Sequence, residues 1–316
     1  MNTENSAQES DLQRAEKRTN RVADVEARER LLAWMPVTER RLTLAGISTS
    51  VLEGGDGPPV VLLHGPLANA AHWLRVLPGL VNKYRVIAPD LPGHGNSQAA
   101  ATALSVGRLM EWLLSLIEHT CSSAPALVGQ LLGGAIAARF AGAHGRRVSR
   151  LVLIDTFGLA PFQPPPEFAS ALTDYMRSPA VATHERLWRQ CAFDLERMRT
   201  SMGERWQPFE AYNVELARRP DVQSAVSALM EHFGPAIPHA DLERIAVPAF
   251  LIWGRHDRPY PLSIATAAST RFGWPLHVIE DSADDPPIEQ PEALLRVLHN
   301  VLGDSGGGQR KGSGNA

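Results

Sequence analysis

Late in the chain stand the carboxylates Asp257, Asp284 and Asp285 and the imidazole of His256, the last read as a surface side chain. Carboxylates in contact cannot both ionise at low cost, so one of such a pair holds its proton to unusually high pH and serves as general acid or base. The same oxygen donors with an imidazole would suit a hard cation, but carboxylates on separate loops are normally solvated, and we assign no metal. Gln130 and Asp155 follow apolar runs and offer hydrogen bonds to a ligand without a catalytic role. His64 and His94 sit beside glycines, where a histidine more often supports a turn than performs chemistry; His72 carries a weaker signal still. No nucleotide cradle is present: the glycine-containing run from Gly129 to Gly134 lacks the Lys and Ser/Thr that grip phosphates.

These residues need a scaffold, and the apolar runs supply one. Segments 41–46, 47–55 and 58–65 read as short strands separated by glycine turns, followed by further runs at 84–90, 125–129, 150–155, 248–254 and 275–280. The later runs are continuous rather than alternating, as in parallel strands covered on both faces. A helical stripe at 104–119 intervenes, and strands alternating with helices imply a doubly wound, mostly parallel sheet. Ligands of such sheets bind at the carboxyl ends of the strands. From Gly158 to about His239 the alternation stops and successive helices follow, so an inserted helical lid is expected at 158–239, with the core at 39–157 and 240–302. Residues 1–38 read as a polar, partly helical arm that is largely solvated, and 303–316 as a flexible tail.

Three ordered landmarks give the chain a resemblance to the α/β-hydrolase superfamily over about residues 40 to 302: VVLLHGPLANAAHW, VIAPDLPGHGNS and LVGQLLGGAIAARFA. FLIWGRHDRPYP and HVIEDSADDPPIEQPE resemble its acid-bearing and histidine-bearing segments. The resemblance implies that Gly129 and Gly133 bracket the family's nucleophile elbow, a strained strand-to-helix turn. The residue at the bend is Leu131, which cannot attack an electrophile, and Asp284 stands where the family's histidine belongs. Asp257 matches the family's acid, so one member of three persists. The resemblance also places Asp257 and Asp284 as neighbours, and implies an oxyanion hole of backbone N–H groups near Pro66 and Leu131.

Two functions are open at this point. The first is an enzyme working on a small apolar carbonyl compound by acid–base or water-mediated chemistry through Asp257 and Asp284, with His64, Gln130 and Trp188 against the ligand. The second is a non-catalytic pseudo-hydrolase that binds a ligand or partner. Aromatic residues of the lid, Trp188 among them, favour an apolar ligand over a sugar or phosphate. With 44% hydrophobic residues and a net charge of -3, the composition excludes global disorder and gives no basic surface for nucleic acid. No cofactor is implied. No apolar run reaches a membrane span, and two unpaired cysteines, Cys121 and Cys191, fit a reducing compartment, so a cytoplasmic protein is expected.

Overall fold

The computed structural model of the protein describes residues 26–100 and 104–303. Residues 1–25 of the expected arm and 304–316 of the expected tail lie outside the described residues. Eight strands form one sheet in the order β1-β2-β4-β3-β5-β6-β7-β8, where β1 is Thr38–Leu44, β2 Ile47–Gly54, β3 Pro59–Leu63, β4 Arg85–Pro89, β5 Ala126–Gln130, β6 Arg150–Ile154, β7 Ala249–Gly254 and β8 Leu276–Ile279. The first two form an antiparallel hairpin, β2 joins β4 antiparallel, and every later pairing is parallel. Each strand falls on an apolar run read from the sequence.

The central strands β3 and β5 are buried along their whole length, because helices cover both faces of the sheet. Helix Val106–Thr120 turns Leu109, Trp112, Leu113 and Leu116 inward, and helix Leu132–His144 crosses the sheet centre as a nearly all-apolar segment. Between β6 and β7 the chain leaves the sheet to build helices Pro166–Arg177, Val181–Cys191, Leu195–Met202, Trp206–Arg218 and Pro220–Phe233. All of them except Leu195–Met202 contribute side chains to the cavity described below. Among the described residues no helix is long and apolar enough to cross a membrane.

The described part of the arm departs from the solvated reading. Residues 26–32 are helical, and Arg28, Leu31 and Met35 are buried. The apolar stripe is too short to announce this, because its anchor is a charge. Arg28 Nη2 lies 2.9 Å from Asp90 Oδ2 and 3.0 Å from Glu39 Oε1, and Nη1 donates to the Tyr212 hydroxyl at 3.0 Å. One side chain thus ties the arm to the sheet loop and to the helical insertion. Removing one partner of a buried ion pair leaves an uncompensated charge, so Arg28→Met should destabilise the fold by about 3 kcal/mol. Urea unfolding midpoints of parent and variant measure this; equal midpoints would mean that the pair contributes nothing.

Candidate functional site

The site starts at the bend after β5. Leu131 has φ 46° and ψ -112°, a conformation strained for a branched side chain by about 1–3 kcal/mol. Tight packing enforces it: a Cβ on Gly129 would come within 2.3 Å of the Gly133 carbonyl oxygen, and one on Gly133 within 2.2 Å of the Leu63 carbonyl oxygen. Leu67 and Asp155, just beyond β3 and β6, also have positive φ, at 57° and 42°. Backbone strain therefore gathers at the carboxyl ends of three adjacent strands.

Above the bend lies a cavity of about 370 Å³. Leu131, Phe162, Phe168, Leu187, Trp188 and Met230 supply much of its wall. Trp188 is held edge-on to Phe209 and Trp206, with ring centroids 5.6 and 6.2 Å apart. A polar end is formed by His72, Gln130, Asp284 and Asp285. No arginine or lysine is among the described residues that line the cavity.

Asp284 is buried at this polar end, where desolvation, with the charges of Asp257, Asp285 and Glu289, pushes its carboxyl well above the usual carboxylate range. It hydrogen-bonds the Cys191 thiol, which burial and the same acids push up. The nearby loop arginines are engaged elsewhere: Arg255 pairs with Glu280, and Arg258 donates to the Arg189 and Ala192 carbonyls. Glu289 fixes the loop by accepting from the N–H groups of Phe193 at 2.6 Å and Ala283 at 2.8 Å. Burial pushes the Glu289 carboxyl up to about 7.

Four sequence-derived assignments change in three dimensions. Asp257 does not line the cavity; its carboxyl meets that of Asp155, and its Oδ1 accepts from the Tyr260 N–H at 2.8 Å. It reaches Asp284 through its field rather than by contact. His64 is fully buried and outside the cavity wall, because both ring nitrogens serve the scaffold. Its Nδ1 lies 2.8 Å from the Gly65 carbonyl oxygen, and its Nε2 accepts from the Leu91 N–H at 2.9 Å, which fixes the tautomer with the proton on Nδ1. Burial first, then the neighbouring His94, hold its pKa well below the usual imidazole range. Pro66 lines the cavity but has no N–H to donate. The Leu131 N–H is committed to the Ile154 carbonyl at 3.0 Å. In the family's elbow the N–H that serves an oxyanion is that of the residue after the bend, which in this chain is Leu132.

Gln130 and Trp188 line the cavity. His72, which sequence reasoning set aside, stands 2.8 and 3.0 Å from the two oxygens of Asp285 through its Nε2. Gln130 Nε2 donates to Asp285 Oδ1 at 3.1 Å and to the Asp284 carbonyl at 3.2 Å. The only signal for His72 was its place a few residues beyond the His64-Gly65 turn, on a short helix capped by Asn69. His256, by contrast, is exposed and stacks on Phe193 with centroids 4.3 Å apart, away from the acids.

Residues 60–297 match the alpha/beta hydrolase family. The chain belongs to that family. A pimeloyl-[acyl-carrier protein] methyl ester esterase of Aeromonas hydrophila is 27% identical over 81% of this chain and 100% of its own length. A magnesium-chelatase 30 kDa subunit of Rhodobacter capsulatus is 32% identical over 68% of this chain and 76% of its own. Among solved structures, the 2-hydroxy-6-oxo-6-phenylhexa-2,4-dienoate hydrolase of Rhodococcus is 26% identical, covers 84% of this chain and 98% of its own, and superposes with a TM-score of 0.73. Within this family fold, the bend that carries the strained leucine is the position of the attacking side chain.

Proposed function

We propose that this α/β hydrolase binds a small, neutral, apolar carbonyl compound beneath its helical insertion, which serves as a lid, and acts on it by proton transfer from Asp284 rather than by serine acyl transfer. The observation that carries the reading is Leu131 at the strained bend, with its side chain in the cavity wall. A leucine forms no acyl intermediate, and with Asp284 in the histidine's place the triad is degenerate.

The cavity supports the ligand class. Its aromatic and aliphatic walls suit an apolar body, and the lack of a lining cation disfavours a carboxylate or phosphate. A protonated carboxyl at the polar end is a donor aimed at an acceptor such as a carbonyl oxygen. Relatives named as a methyl ester esterase and a 2-hydroxymuconate semialdehyde hydrolase agree with a carbonyl-bearing ligand. One feature favours a second, non-catalytic reading: Pro66 removes a donor from the turn that faces the cavity, which weakens stabilisation of an oxyanion more than it weakens binding.

An alkyl fluorophosphonate should leave the intact mass of the purified chain unchanged, while 2-tetralone, a neutral benzo-fused ketone, gives saturation-transfer NMR signals that 2-naphthoate does not. A stoichiometric phosphonyl adduct, or preferential binding of the carboxylate, would sink the proposal.

A further inference from the structure

At the polar end the Asp285 carboxylate is gripped by an imidazole and an amide. Gln130 donates to its Oδ1, His72 faces both oxygens, and all three side chains line the same cavity as Asp284. His72 and Gln130 are themselves 5% and 1% exposed, so this grip is shielded from bulk water. His72 Nδ1 and Gln130 Oε1 are buried with no partner. A buried polar atom without a partner costs stability in a finished core and is expected where a site awaits a ligand or water. If the His72 proton sits on Nε2, toward Asp285, the imidazole is held as a donor and the carboxylate as an acceptor. A carboxylate takes about four hydrogen bonds, so Asp285 keeps capacity for one more partner.

Two adjacent carboxyls therefore have opposite surroundings. Asp284 sits against a thiol and other acids, and Asp285 against an imidazole and an amide. Neighbouring acids held in different surroundings are the arrangement that can divide acid from base roles.

We propose that Asp285 is the base and Asp284 the acid of a proton-transfer pair that interconverts the keto and enol forms of a neutral ketone bearing an α-hydrogen, with His72 as the residue that positions Asp285. This rests on the ligand reading above and adds the reaction to it. Asp285 removes a proton from the carbon next to the carbonyl as the C–H pair shifts to form the C=C bond. The C=O pair moves onto oxygen, which takes the proton of Asp284. The enol is neutral, Asp285 now carries a proton, and Asp284 is a carboxylate. The reverse transfer restores both, so no oxidant, reductant or co-reactant enters. In D2O the proton held by Asp285 exchanges with solvent, and the return step delivers deuterium to carbon.

2-Tetralone in D2O, followed by proton NMR, reads this directly. The parent should accelerate loss of the C1 protons at least about 10²-fold over buffer, the usual scale of positioned acid–base catalysis. Asp285→Asn and Asp284→Asn should each return the rate to near buffer while saturation-transfer contacts to the ketone persist, which shows that the cavity is still formed. His72→Ala should lower the saturated rate without weakening ketone binding, and His72→Gln, which restores a donor to the carboxylate, should recover part of it. Binding without acceleration by the parent, or a parental rate in either aspartate variant, overturns the proposal and leaves the ligand reading standing. An absence of 2-tetralone binding overturns both.

Discussion

Leu131→Ser combined with Asp284→His is expected to turn the protein into an esterase for short aryl esters, with p-nitrophenyl acetate hydrolysed about 10²-fold faster than by the parent. The bend already holds its residue in the conformation that presents an attacking atom, since φ at Leu131 is 46° and the glycines that permit it are in place. Serine there supplies the hydroxyl. Histidine at 284 supplies the base, beside Asp257 whose field already reaches that position. Leu131→Ser alone should gain little, because burial and the neighbouring acids push the Asp284 carboxyl toward its protonated form, which takes no proton from a hydroxyl. The gain should also be capped by Pro66, which cannot donate to an oxyanion; one missing donor of this kind costs about 10²–10³ in rate. Adding Pro66→Ala to the double variant should raise the rate further. Initial rates for parent, single, double and triple variants decide it. A parent as active as the double variant would show that ester cleavage does not need the bend, and the reading of Leu131 would be wrong.

Asp257→Asn should make the fold more stable at pH 8.5 and flatten its pH dependence. Burial pushes the Asp257 carboxyl from 3.8 up to about 8, opposed by hydrogen bonds from the Tyr260 N–H and Asp155, while Glu289 pushes in the same direction as burial. Asp155 is pushed well above the usual carboxylate range by burial first and then by the charge of Asp257, opposed by a hydrogen bond from the Gly254 N–H. The second oxygen of each acid has no N–H or O–H donor, as expected where two carboxyls share a proton. Between about pH 4 and 8 the unfolded chain releases this proton and the folded chain keeps it. The folded state then binds more protons, so stability falls as pH rises through that window, by about 1.4 kcal/mol per pH unit for each retained proton. Glu289, pushed up to about 7, adds to the slope up to that pH. An amide at 257 stays neutral throughout and still offers Asp155 a donor. The expected gain at pH 8.5 is on the order of 3 kcal/mol, with little change at pH 4.5, read from urea midpoints at the two pH values. A variant less stable than the parent at both, with an unchanged slope, would show that the pair is ionised in the folded protein.

Much of this molecule is written in local pattern. Continuous apolar runs such as Val60–Leu63 and Leu151–Ile154 must be buried on both faces, which requires a parallel sheet with helices on either side, and the strands β3 to β7 lie on such runs. Glycines at 129 and 133 are needed for the bend, and the side chain between them is read directly from the sequence, so a leucine at the bend was legible without coordinates. So was the missing N–H of Pro66, a property of the residue itself that the likeness to a familiar turn concealed.

What the pattern cannot carry is convergence. His72 and Asp285 are 213 residues apart and meet only because the turn after β3 and the loop after β8 close over the same sheet edge. Asp257 turns to Asp155 rather than Asp284 because β6 and β7 are neighbours, which puts the residues that follow them side by side. Arg28 is buried because Asp90 and Tyr212 arrive from two distant segments to receive its charge. Periodicity records which face of a strand or helix is apolar, whereas the partners of a buried polar group are set by the path of the loops, and those pairings determine which acids share a proton and which can act on a ligand.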